Sequence, residues 1–529
     1  EMTAASLSLP ASALPSATKA TNKWLVAVAV ASGALLEVID TSIVNVALTD
    51  IQASVGATLS QVSWVVSSYA VANVIILPMS AWLGQRFGKK RYFVFSLIGF
   101  TIASMLCGMA QSLPMLVFAR ILQGLMGGGL LAKAQAFLYE TFPREEHAMA
   151  QGFFGAVVIA GPVLGPTLGG YITTHIDWRW IFFVNLPVGI AAVLLCLHAL
   201  PNDEPAPARA KVDWLAIGLL ALGLGSLQTL LEEGNSEGWL DSTFIQALLV
   251  SSIAGVLLFV YRELNAEHPI VDLRVLRYRS LWAGSLLSIV IGIALYGALF
   301  AVPIFATSIL HFTAQQTGLL LLPSALASAF TMQLASRLVR RYDPRRVLVA
   351  GALILVVSLA WLGNLSSNTG ESDLFWPLFV RAIGTVLMFL PLSFSTIGPI
   401  PKADVAKATG FFNLTRQLGG SMGVAMLSTI LDRRMVFHRS VLSSHVAADD
   451  PHVVERVNQL TQVYASHGAS QSDAHAQALT TLTGMVQQQA SVLSFNDTFH
   501  IVALLVFAFL PLVFLLGGPT TNTSVSDAH

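Results

Sequence analysis

Charge and cysteine are both scarce in this sequence. Only 11% of its 529 residues are charged, whereas soluble domains carry roughly 25%, so the chain has too little polar surface to cover a water-soluble particle of its size. Two cysteines, Cys107 and Cys196, exclude a disulfide scaffold. Both fall in apolar runs that are expected to cross a membrane in opposite senses. That places the thiols at opposite faces, beyond the ~7 Å between Cα atoms that a disulfide can bridge, and both read as packing residues. No nucleophile motif or phosphate loop is present, which argues against an enzyme. No extended basic face is present either, which argues against a nucleic-acid partner.

What the chain has is apolar residues, 54% of the total, with a mean hydropathy of +0.69. Runs of about 20 apolar residues, each long enough for a hydrocarbon core of about 30 Å, recur from residue 24 to residue 516 and suggest roughly 14 spans. The formal net charge is zero, but the charges are unevenly placed. Alternate loops hold some twenty lysines and arginines, among them Lys19, Arg209, Lys211, Arg86, Lys89, Lys90, Arg91, Arg340, Arg341, Arg345 and Arg346, while the short intervening loops hold only Arg179. By the positive-inside rule both termini are expected to be cytoplasmic.

Residues 1–21, rich in Ala, Ser, Thr and Pro, read as a disordered cytoplasmic tail without the layout of a signal peptide. Residues 22–200 read as a six-helix half, 201–265 as two inserted transmembrane helices and 266–529 as a second six-helix half. Within the last unit, residues 432–496 form a polar outer segment of about 65 residues, far longer than a usual connection, expected to hold one or two amphipathic helices. Its histidines, His438, His445, His452, His467 and His475, match no compact ligand spacing, so no metal site is expected.

The chain also echoes itself. RFGKKR at Arg86 precedes a span carrying FARILQG at Arg120, and RRYDPRR at Arg340 precedes one carrying FVRAIG at Arg381. A glycine-rich span follows in each half. Two related halves imply a substrate site at mid-depth between them. In the first half that span contains GPVLGPTLGG, in which Gly161, Gly165 and Gly169 recur every four residues with Gly170 adjacent. On a helix they form a groove without side chains, suited to close helix packing, and Pro162 and Pro166 beside it are tolerable only inside a bundle.

Glu37 and Asp40 lie inside the first span, where an ionised carboxylate costs about 3 kcal/mol on insertion scales, so they must face the bundle interior. Their spacing of three puts them on one face. A carboxyl caught between desolvation and a neighbouring guanidinium can exchange a proton near neutral pH; the alternative is a static pair locking two helices. Arg120 is expected at the same depth as Asp40 and as the partner of both carboxylates in proton coupling, with Gln123 one turn further on its face to relay a hydrogen bond. Lys133, near the basic end of its span, is expected to snorkel to the interface. Asn45, Trp64, Tyr69, Asn73, Tyr296, Phe300, Phe305, Arg381, Phe389, Phe411, Phe412, Asn413 and Arg416 are candidate walls of a mostly apolar cavity suited to a hydrophobic ligand.

These stretches resemble the major facilitator superfamily and, within it, the fourteen-span drug:proton antiporters of the EmrB/QacA type. DTSIVNVAL from Asp40, WLGQRFGKKR with Arg86, Gly88, Lys89 and Lys90, RILQG from Arg120, GPVLGPTLGG and WRWIFFVNLPVG from Trp178 carry the likeness. Gln85 stands where the loop motif usually has an acidic residue, a departure that bears on gating. The resemblance implies an all-α integral membrane protein with the major facilitator fold. It implies proton coupling through Asp40 and Arg120, no cofactor beyond the proton gradient, and multidrug efflux across a bacterial inner membrane by alternating access. From the likeness of segment 432–496 to the EmrB subgroup follow a periplasmic membrane-fusion adaptor and an outer-membrane channel as partners. A narrow exporter of a metabolite such as a fatty acid or siderophore, and a non-transporting receptor or scaffold, are the alternatives.

Overall fold

The computed structural model describes residues 22–203, 212–446 and 450–516. The tail at 1–21 with Lys19, and the loop residues Arg209 and Lys211, lie outside the described residues, as does the side chain of Phe300. Every regular element among the described residues is helical: α1 (Lys23–Val55), α2 (Trp64–Phe87), α3 (Lys89–Gly108), α4 (Leu113–Thr141), α5 (His147–His175), α6 (Asn185–Ala199), α7 (Trp214–Glu233), α8 (Thr243–Asn265), α9 (Arg279–Ser308), α10 (Ala314–Arg341), α11 (Pro344–Leu362), α12 (Glu371–Ile397), α13 (Lys402–Ser444), α14 (Pro451–Ser466) and α15 (Gln471–Phe509).

The apolar runs become helices because the hydrocarbon interior leaves backbone groups no partner except the helix itself. Polar residues at the boundaries supply the starts. Asp213 accepts the N–H of Ala216, Asp343 that of Arg345, and Thr313 with Gln316 forms a reciprocal capping box at α10.

Among the described residues, thirteen helices are long and apolar enough to cross a membrane. Connectivity makes α13 the fourteenth crossing, since α12 ends where α13 starts and the far end of α15 returns to that same side. There Arg279 Nε donates to the Leu515 carbonyl at 3.0 Å, and at the other end of the chain Lys23 pairs with Glu146. This side carries the Lys- and Arg-rich loops and is called the basic face below.

Two helices are far longer than the sequence suggests. α13 has 43 residues and α15 has 39, about 65 and 58 Å at 1.5 Å per residue, roughly twice the core thickness. The polar segment expected from residue 432 to residue 496 is thus largely a continuation of these two helices. No proline interrupts 432–444 or 471–498, so both helices continue beyond the membrane, and α14 packs on the projecting part of α15.

The packing repeats between halves. α1 lies along α5, and α9 lies along α13. In the first pair a methyl added at Gly161 or Gly165 would fall on Val38 or Ser42 of α1; in the second, one at Gly419 or Gly423 would fall on the backbone of Ile289 or Ile293. α5 runs unbroken through Pro162 and Pro166, and the Ser42 hydroxyl donates to the Gly161 carbonyl at 3.2 Å. The halves meet through α5 against α10 and α2 against α13. The inserted α7 lies over the second seam, where Glu233 accepts from Ser67 of α2 at 2.7 Å and Gln228 donates to Ser421 of α13 at 2.7 Å.

Candidate functional site

Asp40 and Arg120 are completely buried and form an ion pair, Nη1 to Oδ2 at 2.6 Å. Gln123 Nε2 donates to the other carboxylate oxygen at 2.7 Å, and Asn185 Nδ2 donates to it at 2.9 Å. The guanidinium is held from every side: Nη1 also reaches Gln123 Oε1 at 2.7 Å, Nε reaches the Val65 carbonyl at 2.9 Å, and the Tyr69 ring lies 4.3 Å away. Asn185 in turn donates to Ser104 Oγ, and the Cys107 thiol donates to Gln123 Oε1. One carboxyl thus gathers groups from α1, α2, α3, α4 and α6. A buried charge is tolerable only with such full pairing.

The depth argument brings Asp40, Arg120 and Gln123 together as expected. Asn185, Ser104 and Cys107 were missed. Asn185 lies within the WRWIFFVNLPVG stretch, whose likeness to a known motif was the available signal. Cys107, read as mere packing, borders the cluster.

Glu37 does not join it, which corrects the expectation that both carboxylates pair with Arg120. The side chain, 6% exposed, accepts from Asn73 Nδ2 at 2.8 Å and from the backbone N–H of Leu131 at 2.8 Å. That N–H is free because α4 breaks at Gly128 and Gly129, the latter at φ 80°, and restarts at Leu130. Glu37 therefore caps a helix start from another helix, where a negative charge is favoured.

The candidate cavity residues separate into several places. Tyr69 belongs to the Asp40 cluster and Asn73 to Glu37. Asn413 Nδ2 donates to Gln135 Oε1 at 2.8 Å, linking α13 to α4 across the halves, and Arg416 bonds to Asn413 with its guanidinium 5.1 Å from the Phe389 ring. Arg416 Nη1 and Arg381 Nε are buried without a hydrogen-bond partner among the described residues. Phe305 and Phe412 are core residues and not cavity walls: Phe305 packs edge-on against Phe495 at 5.3 Å, and Phe412 sits in the apolar core of the second half. Phe411 lines a crevice at the basic face. Tyr296 lies against Gly420, Asn45 is exposed, and Trp64 is half-buried at the start of α2.

Lys133 overturns the snorkelling expectation. It is only 8% exposed, donates to Ser96 Oγ at 2.9 Å and lies 3.8 Å from the Tyr92 ring, because α3 covers it.

The loop between α2 and α3 is organised by carboxylates from elsewhere. Asp203 accepts the N–H groups of Lys90 and Arg91 at 2.8 and 3.0 Å, Lys89 pairs with Glu140 at 2.7 Å, and Lys90 Nζ reaches the Leu200 carbonyl at 2.8 Å. Gly88, at φ 94°, leaves no room for a side chain beside Asp203. Arg86 lies 5.5 Å from the Trp82 ring. Glu140 and Asp203 thus provide the negative charge at this loop that Gln85 does not.

Residues 30–424 match the profile described as Major Facilitator Superfamily. The chain is 30% identical to the multidrug export protein EmrB of Escherichia coli K12, over 94% of this chain and 95% of that one. It is also 30% identical to the fatty acid resistance protein FarB of Neisseria gonorrhoeae, over 92% and 94%. Among solved structures it resembles the proton:xylose symporter XylE, with a TM-score of 0.57 and 14% identity over 92% of this chain and 96% of that one.

Proposed function

Because the chain belongs to the major facilitator superfamily and to its EmrB-type branch, we propose that this multi-pass membrane transporter exports hydrophobic, toxic small molecules from a bacterial cytoplasm in exchange for protons. The observation that carries the reading is the sealed Asp40 cluster. Its single carboxylate bonds to Arg120, Gln123 and Asn185, and these reach five of the six helices of the first half.

Protonation of Asp40 removes the charge that holds Arg120 and turns an acceptor toward donors, so the packing of five helices becomes sensitive to one proton. The carboxyl is fully buried in this conformation, and a proton reaches it only when the halves rearrange. That is the gating an antiporter needs. Energy comes from the proton gradient, with no cofactor. The basic face is cytoplasmic, and the projecting parts of α13, α14 and α15 are the docking element for a periplasmic membrane-fusion adaptor that leads to an outer-membrane channel.

The test is proton movement in vesicles carrying the purified protein under an imposed pH gradient, with a panel of hydrophobic drugs including ethidium. Drug-triggered collapse of the gradient, lost in Asp40→Asn, is expected. Intact coupling in a well-folded Asp40→Asn protein would remove the assigned role, and absence of collapse with every drug would remove the antiport reading.

A further inference from the structure

The inserted α7 belongs to neither six-helix half, yet at the end opposite the basic face it is fastened to both. On one side its last residue, Glu233, 4% exposed, accepts from Ser67 of α2 at 2.7 Å and from Ser63, just before α2, at 3.3 Å. On the other side three bonds reach α13. Gln228 Nε2 donates to Ser421 Oγ at 2.7 Å, the Trp239 indole N–H to Thr429 Oγ1 at 2.9 Å, and Asn235 Nδ2 to Asp432 Oδ2 at 2.7 Å. Trp239 is held at φ 56°, in the left-handed region that bulky side chains disfavour, with its ring against Gly234. Such a backbone persists only where the surroundings enforce it, and it is typical of switch segments.

The two attachments differ in kind. Toward α2 the contact is apolar along the helix: Ala216, Leu220 and Leu224 cluster with Val74 and Leu77, and Gly225 lies against Val71 and Ile75. Toward α13 that cluster reaches Leu414 and Leu418, nearer the basic face, and the outer contact is made of single hydrogen bonds. Water replaces a bond of that kind at a small net cost, about two- to tenfold in an equilibrium. An apolar face opened to water has no such replacement.

We propose that α7 and the loop at 234–242 form a strap that travels with the first half and latches onto α13. It holds the end opposite the basic face closed until Gln228, Trp239 and Asn235 release Ser421, Thr429 and Asp432. The inference rests on the rearrangement of the halves in the export reading, and not on the cargo or the driving ion. It gives the inserted helix a part in opening the outer gate.

The experiment reads the distance between spin labels at Ser60→Cys and Ser367→Cys by double electron–electron resonance, on the full chain in phosphatidylcholine nanodiscs. Both positions are exposed at the end opposite the basic face, one on each half, and the native Cys107 and Cys196 are buried. Ser421→Ala with Thr429→Val removes the partners of Gln228 and Trp239 without touching α7. This pair is expected to raise the wide population about fourfold or more. Ser226→Ala, which breaks the bond from Ser251 between α7 and α8, is expected to leave the distances unchanged. No shift in the pair, or an equal shift in Ser226→Ala, overturns the proposal.

A second arm measures ethidium-driven proton movement in vesicles. Asn235→Cys/Asp432→Cys, joined by a short bis-methanethiosulfonate, is expected to lose about tenfold or more and to recover with reductant. Val71→Cys/Gly225→Cys, oxidised to join α7 to α2, is expected to move protons as it does when reduced. Movement that survives the first link, or stops with the second, also overturns the strap. If ethidium moves no protons in the wild type, the export reading fails, while the label distances still decide the strap.

Discussion

Glu37 and Leu131 meet across two helices: a carboxylate oxygen of α1 accepts the backbone N–H that the break in α4 leaves free, at 2.8 Å. The same side chain accepts from Asn73 of α2. An acidic residue inside a span thereby serves as the cap that the second part of α4 cannot supply from its own Gly129.

Glu37→Gln keeps the shape but removes the charge and offers an amide N–H to one of two donors. The variant is expected to lose about 1 to 2 kcal/mol and to melt at lower temperature in detergent, with the Asp40 cluster intact. An unchanged melting curve would show that the cap contributes nothing to stability.

Asn185 donates to Asp40 at 2.9 Å and to Ser104 at 3.0 Å. Asn185→Ala leaves the carboxylate with Arg120 and Gln123 only, a loss of about 1.5 to 3 kcal/mol in favour of the charged form. Drug-driven proton movement is expected to fall about tenfold in a variant that elutes and melts close to the wild type. An unchanged rate would make Asn185 a packing residue.

Gly165 faces Ser42, onto whose hydroxyl an added methyl would fall. Gly165→Ala is expected to destabilise the pairing of α1 with α5 by about 1 to 3 kcal/mol, and Ser42→Gly to restore part of the loss. A double-mutant cycle on melting temperature tests the contact; additive effects would contradict it.

Asp213 starts α7 at the basic face and tethers it to α8. Hydrogen bonds from the Arg262 guanidinium, at 2.7 and 2.9 Å, hold its carboxyl below the usual carboxylate range, with help from the N–H of Ala216. A lowered folded value means that the contribution is present above the ordinary carboxylate value near ~3.9 and disappears as pH falls through the lower folded value. Asparagine is an equally good cap, so Asp213→Asn is expected to melt slightly lower than wild type at pH 7 and to coincide with it at acid pH. A difference that persists under acid conditions would point to something other than the charge.

The spans were legible because twenty apolar residues have few other fates, and the Asp40, Arg120 and Gln123 set because ionisable groups in hydrocarbon are rare and their depth follows from residue counting. Glycine spacing also carried over, since a groove needs only small residues at a fixed interval. The partner of Glu37 was not legible. It is a backbone N–H exposed by a break in another helix, and Gly127, Gly128 and Gly129 announce a break without saying what fills it. The aromatic walls misled for a related reason: α9 is apolar on nearly every side, so periodicity could not tell that Phe305 faces the core. Lys133 was misread because depth alone suggested a route to the interface, which Tyr92 of α3 closes.

By itself the sequence determined what each segment must do singly: cross hydrocarbon, place basic loops on one face, hide its charges and offer glycine where helices touch. These follow from the solvent and from helical geometry, which act on every residue locally. The tertiary structure alone decided which buried groups satisfy one another. Asp40 with Asn185, Glu37 with Leu131 and Lys133 with Ser96 are choices made between separate helices, because a polar group in an apolar interior takes whatever donor or acceptor the packing brings within about 3 Å.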